Sequence, residues 1–210
     1  MGLENSDGGL LMGRFTSRVA QGEVRGAPAD ARLVEAARGG DASAFEHLYR
    51  RYAGLVHGVL LGKVGREEAE DLVQEVFLAA MRRISALRDP NSFGAWLSAI
   101  ARNLANDHYR RMKPADPMLE DPPEAAGQNA PTQESDADIS ERILTIIRGL
   151  PEAYSETLMM RLVEGMTGPE IAERTGLTHG SVRVNLCRGM RMLRERLDEL
   201  GVHGSEREMG

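Results

Sequence analysis

Residues 114–141, PADPMLEDPPEAAGQNAPTQESDADISE, hold eight acidic residues and no basic one. Prolines stand at 114, 117, 122, 123 and 131, with few apolar side chains between them. Such a segment buries too little apolar surface to offset the entropy of ordering it, so it reads as an acidic, Pro-rich flexible linker over 114–137. It divides the 210-residue chain into a helical half at 29–113 and a second helical half at 138–200. The expected fold is all-α: two small helical domains joined by the linker, with tails at 1–28 and 201–210. Six glycines before Pro28 make the first tail flexible. No internal repeat relates the halves.

Composition narrows the class further. Aromatic residues at 4% argue against a large β-sandwich, and Cys187, the single cysteine, precludes an intramolecular disulfide or a Cys-rich zinc site. A reducing cytoplasm fits best. No run approaches the ~18 apolar residues of a membrane helix, and the N-terminus lacks the charged start and apolar core of a signal peptide, so no membrane insertion is expected.

The formal net charge is −6, yet residues 176–197, GLTHGSVRVNLCRGMRMLRERL, carry five arginines against one glutamate. At 100° per residue, Val182, Leu186, Met190, Leu193 and Leu197 share one face, with Gly189 allowing a close approach there. Gly180, Val184, Cys187, Arg188 and Arg191 fall opposite, with Arg183 and Arg194 at the edge. Thr178 is placed to cap this helix. Upstream, MTGPEIAERTGLT encodes a first helix: Thr167 and Glu170 make a T-x-x-E capping box, Pro169 occupies the first turn and Gly176 supplies a left-handed stop. Ala172 is small enough for a close crossing. Helix, short Gly-containing turn and second helix with a basic outward face describe a helix-turn-helix suited to DNA. A solvated charged face on a plain helical hairpin is the ordinary alternative. Two more helices, about 139–149 and 152–164, precede the motif.

In the N-terminal half, REEAEDLVQEVFLAAMRRI (66–84) puts Ala69, Val73, Val76, Phe77, Ala80 and Ile84 on one face and Asp71, Gln74, Glu75 and Leu78 on the other. An exposed Leu within a carboxylate and amide patch suits a protein partner with a positive surface. The helix SFGAWLSAIARNLANDHYRRMK (92–113), with Ser92 as its cap, buries Phe93, Trp96, Leu97, Ile100, Leu104 and His108. Its other side carries Ser98, Arg102, Asn106, Tyr109 and Lys113, with Arg110 alongside. Cations for phosphates and a ring for stacking are what a single-stranded nucleic acid needs. The polar loop 85–92, with Pro90 and Asn91, could present side chains to an extruded base.

Together, AEDLVQEVFLAAMRRI, SFGAWLSAIARNLANDHYRR and LPEAYSETLMMRLVEGMTGPEIAERTGLTHGSVRVNLCRGMRML resemble a group IV, extracytoplasmic-function (ECF) bacterial sigma factor of the sigma-70 family. The likeness covers 29–113 and 138–198. It implies a σ2-like domain, a linker in place of σ3, and a σ4-like domain. It further implies a factor that binds core RNA polymerase, through the β′ clamp helices and the β flap, and directs it to promoter DNA. By position, Asp71, Leu72, Gln74 and Glu75, with Leu78 beside them, correspond to the polymerase surface. Asn91, Ser98, Arg102, Asn106, Tyr109, Arg110 and Lys113 correspond to the part that reads and melts the −10 element. Thr178, Arg183, Val184, Cys187, Arg188 and Arg191 lie where the family meets the −35 element. The second helix departs from the usual T-V-K/R-S-R-L-x-R-A-R, since Val184 and Asn185 replace the common Ser and Arg, which implies a less common −35 sequence. An anti-sigma factor is a partner the resemblance allows.

No Gly-rich phosphate loop, HExxH or Cys/His cluster with metal spacing is present, so no catalytic residue, metal or cofactor is expected. The rivals are a stand-alone helix-turn-helix regulator, which should bind duplex DNA alone as a dimer on a palindrome, and an enzyme with a helical accessory domain, for which no candidate site exists.

Overall fold

The computed structural model describes residues 28–112 and 136–200. The expected tails, Lys113 and the linker up to residue 135 lie outside the described residues. All regular structure among the described residues is helical. In order these are α1 (Pro28–Arg38), α2 (Ala42–Leu61), α3 (Arg66–Arg83), 3₁₀ turns at Ile84–Ala86 and Pro90–Ser92, α4 (Phe93–Met112), α5 (Asp136–Arg148), α6 (Glu152–Leu162), α7 (Gly168–Thr175) and α8 (His179–Glu199).

Helix α2 organises the N-terminal half. Asp41 caps it by accepting from the amides of Ser43 and Ala44. Its last two turns, LVHGVLL at 55–61, are apolar almost all round, and Leu55, Val56, Val59, Leu60 and Leu61 have no exposed surface. A helix of that kind must be covered on every side. Helices α1, α3 and α4 cover part of it, and α6 of the C-terminal half covers the rest.

The apolar faces of α3 and α4 pack as their periodicity requires. Ala69, Val73, Val76, Phe77, Ala80 and Ile84 are buried, as are Phe93, Leu97 and Ile100. Trp96, Leu104 and His108 are half-buried at the rim. Full burial of each Val, Leu, Ile or Phe among them contributes about 1.5–3 kcal/mol. The ring of Phe93 meets Tyr52 edge-on at 5.1 Å and thereby ties α4 to α2. One local expectation is corrected at the start of α4. The capping group is Asp89, not Ser92: its carboxylate accepts from the Asn91 amide and the Ser92 hydroxyl and holds the Pro90–Ser92 turn that leads into the helix. A carboxylate reaches two donors at once, whereas the Ser92 hydroxyl is consumed as one of them.

In the C-terminal half, α6 is the counterpart of α2. Ser155 to Met160 are six consecutive buried residues, again a helix enclosed on every side, here by α2, α5, α7 and α8. The two halves thus share one continuous hydrophobic core.

Candidate nucleic-acid and polymerase interfaces

The helix-turn-helix is set by local chemistry. Thr167 donates its backbone N–H to the Glu170 carboxylate at 2.8 Å, and the Glu170 amide returns to the Thr167 hydroxyl at 3.4 Å. The Thr167 amide foremost, and the Thr167 hydroxyl, which also donates to the carboxylate at 2.8 Å, hold the Glu170 carboxyl below its usual range. Gly176 ends α7 at φ +77°, and its N–H donates to the Ala172 carbonyl. A side chain there would be strained. Thr178 then caps α8 by accepting from the Ser181 amide at 3.0 Å.

The back of α8 is fixed by Val182 and Leu193, both buried, and by Gly189. A Cβ on Gly189 would lie 3.0 Å from Leu158 of α6, closer than side chains normally approach. Seating α8 so tightly turns Arg183, Val184, Cys187, Arg188, Arg191 and Arg194 outward, and all are exposed. Arg188 also reaches the Tyr154 hydroxyl at 3.5 Å. From Arg183 to Arg191 is about 12 Å along the axis at 1.5 Å per residue, comparable to the ~12 Å width of a major groove. The expected −35 set therefore lies together on one groove-sized face. Thr178 is exposed at its start, with its oxygen engaged by the cap.

On α3, Asp71, Gln74 and Glu75 are exposed and Leu78 is 48% exposed. Leu72 is not part of that surface. It is 2% exposed and belongs to the core, because it lies on the α3 side that faces its neighbours. Beside Leu78 runs a shallow apolar groove lined by Phe45, Tyr49, Gln74, Phe77, Leu78 and Met81. Tyr49 and Met81 are themselves exposed. The sequence reading did not include Phe45, Tyr49 and Met81. Phe45 and Tyr49 come from α2, and only packing on Phe77, with ring centroids at 6.3 and 4.5 Å, brings them beside α3.

The α4 surface departs most from expectation. Asn106, Tyr109 and Arg110 are exposed, with Arg110 paired to Asp107 at 2.9 Å. Asn91 is exposed too, its side-chain amide donating to Asp89 at 3.0 Å. Ser98, however, is buried at 3% exposure and donates back to the Gly94 carbonyl. The neighbouring elements close over its side of the helix. Arg102 donates twice to Glu156 of α6, each bond 2.7 Å. Those hydrogen bonds, working against burial, raise the Arg102 pKa.

Further polar contacts join the halves. Arg51 lies between Asp30 and Glu173 at 2.9 Å from each. Burial opposes its charge, but attraction to the two carboxylates prevails and its pKa is raised. Within the N-terminal half, the buried Tyr52 hydroxyl donates to the same Asp30 at 2.8 Å. His57 meets Glu164 at 2.6 Å, Lys63 pairs with Glu152, and Arg148 donates to the Leu61 carbonyl. At Gly94 the α4 backbone presses so close to α7 that a Cβ would lie 1.9 Å from the Arg174 carbonyl oxygen. Sequence patterns pointed to none of these contacts individually, although the nearly all-round apolar run 55–61 in α2 signals a helix covered on every side.

Among the described residues no helix is long and apolar enough to cross a membrane, and no group of three or more His, Cys, Asp or Glu is placed to hold a metal ion. The described residues thus carry a basic helix-turn-helix and, on another helix, an acidic face with an apolar groove, two surfaces of the kind that macromolecule-binding proteins use. Comparison with known proteins gives the family. Sigma-70 region 2 matches residues 48–114, and Sigma-70, region 4 matches residues 140–193. The RNA polymerase sigma factor CarQ of Myxococcus xanthus is 32% identical over 80% of this chain and 97% of its own length. The ECF RNA polymerase sigma-E factor of Haemophilus influenzae is 31% identical over 81% of this chain and 96% of its own. The ECF RNA polymerase sigma factor BldN of Streptomyces coelicolor is 33% identical over 77% of this chain, which spans 63% of that longer relative. Among solved structures, CnrH in complex with the cytosolic domain of CnrY matches with a TM-score of 0.53 and 25% identity, over 81% of this chain and 98% of that one.

The chain belongs to the ECF group of the sigma-70 family. It is a sigma factor, directing RNA polymerase to start transcription at specific promoters without catalysing bond chemistry itself.

Proposed function

We propose the following division of labour for this factor. The region 29–113 acts as the σ2-like domain and 138–200 as the σ4-like domain. The α3 face of Asp71, Gln74, Glu75 and Leu78, extended by the groove at Tyr49 and Met81, docks on the β′ clamp helices. Asn91, Asn106, Tyr109, Arg110 and Lys113 receive the −10 strand, joined by Arg102 once it is released from Glu156. The α8 face reads the −35 duplex, with the C-terminal half resting on the β flap. The factor works in the cytoplasm, where polymerase and promoter are.

One observation carries this reading: a groove-sized row of exposed arginines on a capped helix-turn-helix, in a chain whose other exposed face is acidic and apolar. One surface suits phosphate and base edges, the other a basic protein. An anti-sigma partner is supported by the CnrH match, since that protein was captured with the cytosolic domain of CnrY. The test is transcription by purified core polymerase plus this protein on genomic DNA, with start sites sequenced. Start sites sharing two upstream elements at fixed spacing are expected. Transcripts no different from those of core alone would refute the assignment.

A further inference from the structure

Where two helices meet at a glycine, the side chains flanking the contact are brought within reach of each other. Gly189 of α8 rests on α6, where a Cβ would lie 3.0 Å from Leu158 and 3.3 Å from the Cβ of Tyr154. Residues three apart share a side of a helix. On α6 the flanking pair is Tyr154 and Thr157, and on α8 it is Asn185 and Arg188. They meet in reverse order across the contact. Nη1 of Arg188 donates to the Tyr154 hydroxyl, and Nδ2 of Asn185 donates to the Thr157 hydroxyl, each at 3.5 Å.

Counting donors fixes the sense of the second bond. The buried Thr157 hydroxyl gives its one proton to the Ala153 carbonyl at 2.5 Å, so toward Asn185 it can only accept. The half-buried Asn185 therefore has its NH₂ group turned to α6, whereas Val184, Cys187 and Arg188 around it are exposed.

Both bonds are long, so they add little to folding. Their consequence is direction. An exposed arginine samples many rotamers and loses that freedom when it grips a base. Tyr154 engages one of the five N–H donors of Arg188 and leaves enough for the two-point grip that guanine O6 and N7 accept.

We propose, on the reading of α8 as the −35 surface, that Tyr154 is a positioning residue for promoter recognition. Standing on α6, outside the helix-turn-helix itself, it aims Arg188 at its base. Thr157 holds Asn185 against α6 and keeps α8 from turning about its own axis. The sequence preference of the factor is thus set partly by a helix that does not enter the groove.

The test uses the full-length factor with core polymerase on a promoter library randomised at the −35 element. Tyr154→Phe deletes the hydroxyl and leaves the ring. It should lower discrimination several-fold at the position read by Arg188, a part of the roughly tenfold or more that one base contact supplies, and leave the other positions unchanged. In an Arg188→Ala background the same change should not alter the preference further, because no guanidinium remains to be aimed. An equal loss in both backgrounds would reduce Tyr154 to a support of the fold and overturn the proposal. Uniform weakening of every sequence, the mark of a direct phosphate contact, would also overturn it, as would an unchanged preference. The second pair is checked by Thr157→Val, which deletes the hydroxyl, against Thr157→Ser, which keeps it. The first should broaden the −35 preference and the second should preserve it; broadening by both or by neither would contradict the anchoring of Asn185. If Arg188→Ala alone leaves the preference unchanged, the reading of α8 fails, and the role of Tyr154 with it.

Discussion

Helices α4 and α8 both carry arginines on one side and apolar residues on the other, yet they sit differently. Helix α8 is backed by α5, α6 and α7 on one side only, so its second face meets solvent. Helix α4 is backed by α2 and α3 and is approached again by α7, while α6 engages its Arg102. The same amphipathic pattern therefore yields an open basic face in one case and a partly covered one in the other. What separates them is the number of neighbours, and a helix wheel carries no information about that.

Glycine substitution should expose the contrast most strongly. At Gly94 a Cβ meets the Arg174 carbonyl at 1.9 Å and Tyr52 at 2.8 Å. Gly94→Ala must push α7 off α4 and should cost about 1–3 kcal/mol, as overpacking does. Urea denaturation of the two proteins measures it, and an unchanged midpoint would mean that α4 and α7 are not in contact in solution. On the α3 face, Asp71→Arg with Glu75→Arg reverses charge at exposed positions while Leu72, Val73 and Val76 stay packed. Affinity for core polymerase should drop tenfold or more, about 1.4 kcal/mol, with folding stability altered by no more than ~0.5 kcal/mol. Competition binding alongside thermal melting checks both halves of that statement.

Smaller effects sharpen the comparison. At Gly180 on α8 the nearest atom to a built Cβ is the Thr178 hydroxyl at 3.8 Å. Gly180→Ala meets no obstacle, and it should stabilise by up to about 0.5–1 kcal/mol through helix propensity, opposite in sign to the same change at Gly94. A calorimetric melt of each variant decides the sign. The acid response should be smaller still. The Glu152 carboxyl is held below its usual 4.5, chiefly by its hydrogen bond to Lys63. Its contribution is fully present above that value and is lost as pH falls through the depressed one. Glu152 is half exposed, so salt screens the pair and the effect is slight. Glu152→Gln should flatten a small part of the stability loss below pH ~4.5 and leave stability at pH 7 nearly unchanged.

Local chemistry was readable in advance wherever neighbouring residues decide the outcome. The Thr167–Glu170 box, the left-handed Gly176, the Thr178 cap, the Gly189 contact and the buried stripes of α3 and α8 all depend on spacing within one or two turns. The exposed Asp71, Gln74, Glu75 and Leu78 followed from the same periodicity. Ser98 did not, because a position at the margin of a wheel is assigned by which neighbour arrives, and α4 meets several. Leu72, placed on the surface only by the family resemblance, is buried instead. The Arg102–Glu156 pair joins residues 54 apart in sequence, across a segment whose composition says only that it connects. The only advance sign was indirect: the apolar run 55–61 in α2 asks for more cover than α1, α3 and α4 provide, whereas 155–160 in α6, half polar in sequence, gave none.

The central claim is that α8 enters the −35 groove by its N-terminal turns, so that Arg188 and Val184 meet bases while Arg194, nearly two turns further along than Arg188, meets backbone. A base-edge contact carries about 1–3 kcal/mol of discrimination and a phosphate contact none. The direct measurement is transcription of a randomised −35 library by holoenzymes carrying the wild type, Arg188→Ala or Arg194→Ala, with the selected sequences read out at several salt concentrations. Arg188→Ala should change the preferred base at one or two positions. Arg194→Ala should keep the wild-type preference, weaken all promoters alike and reduce the salt slope of binding by about 1. Equal shifts in sequence preference for the two variants, or no shift for either, would contradict this docking.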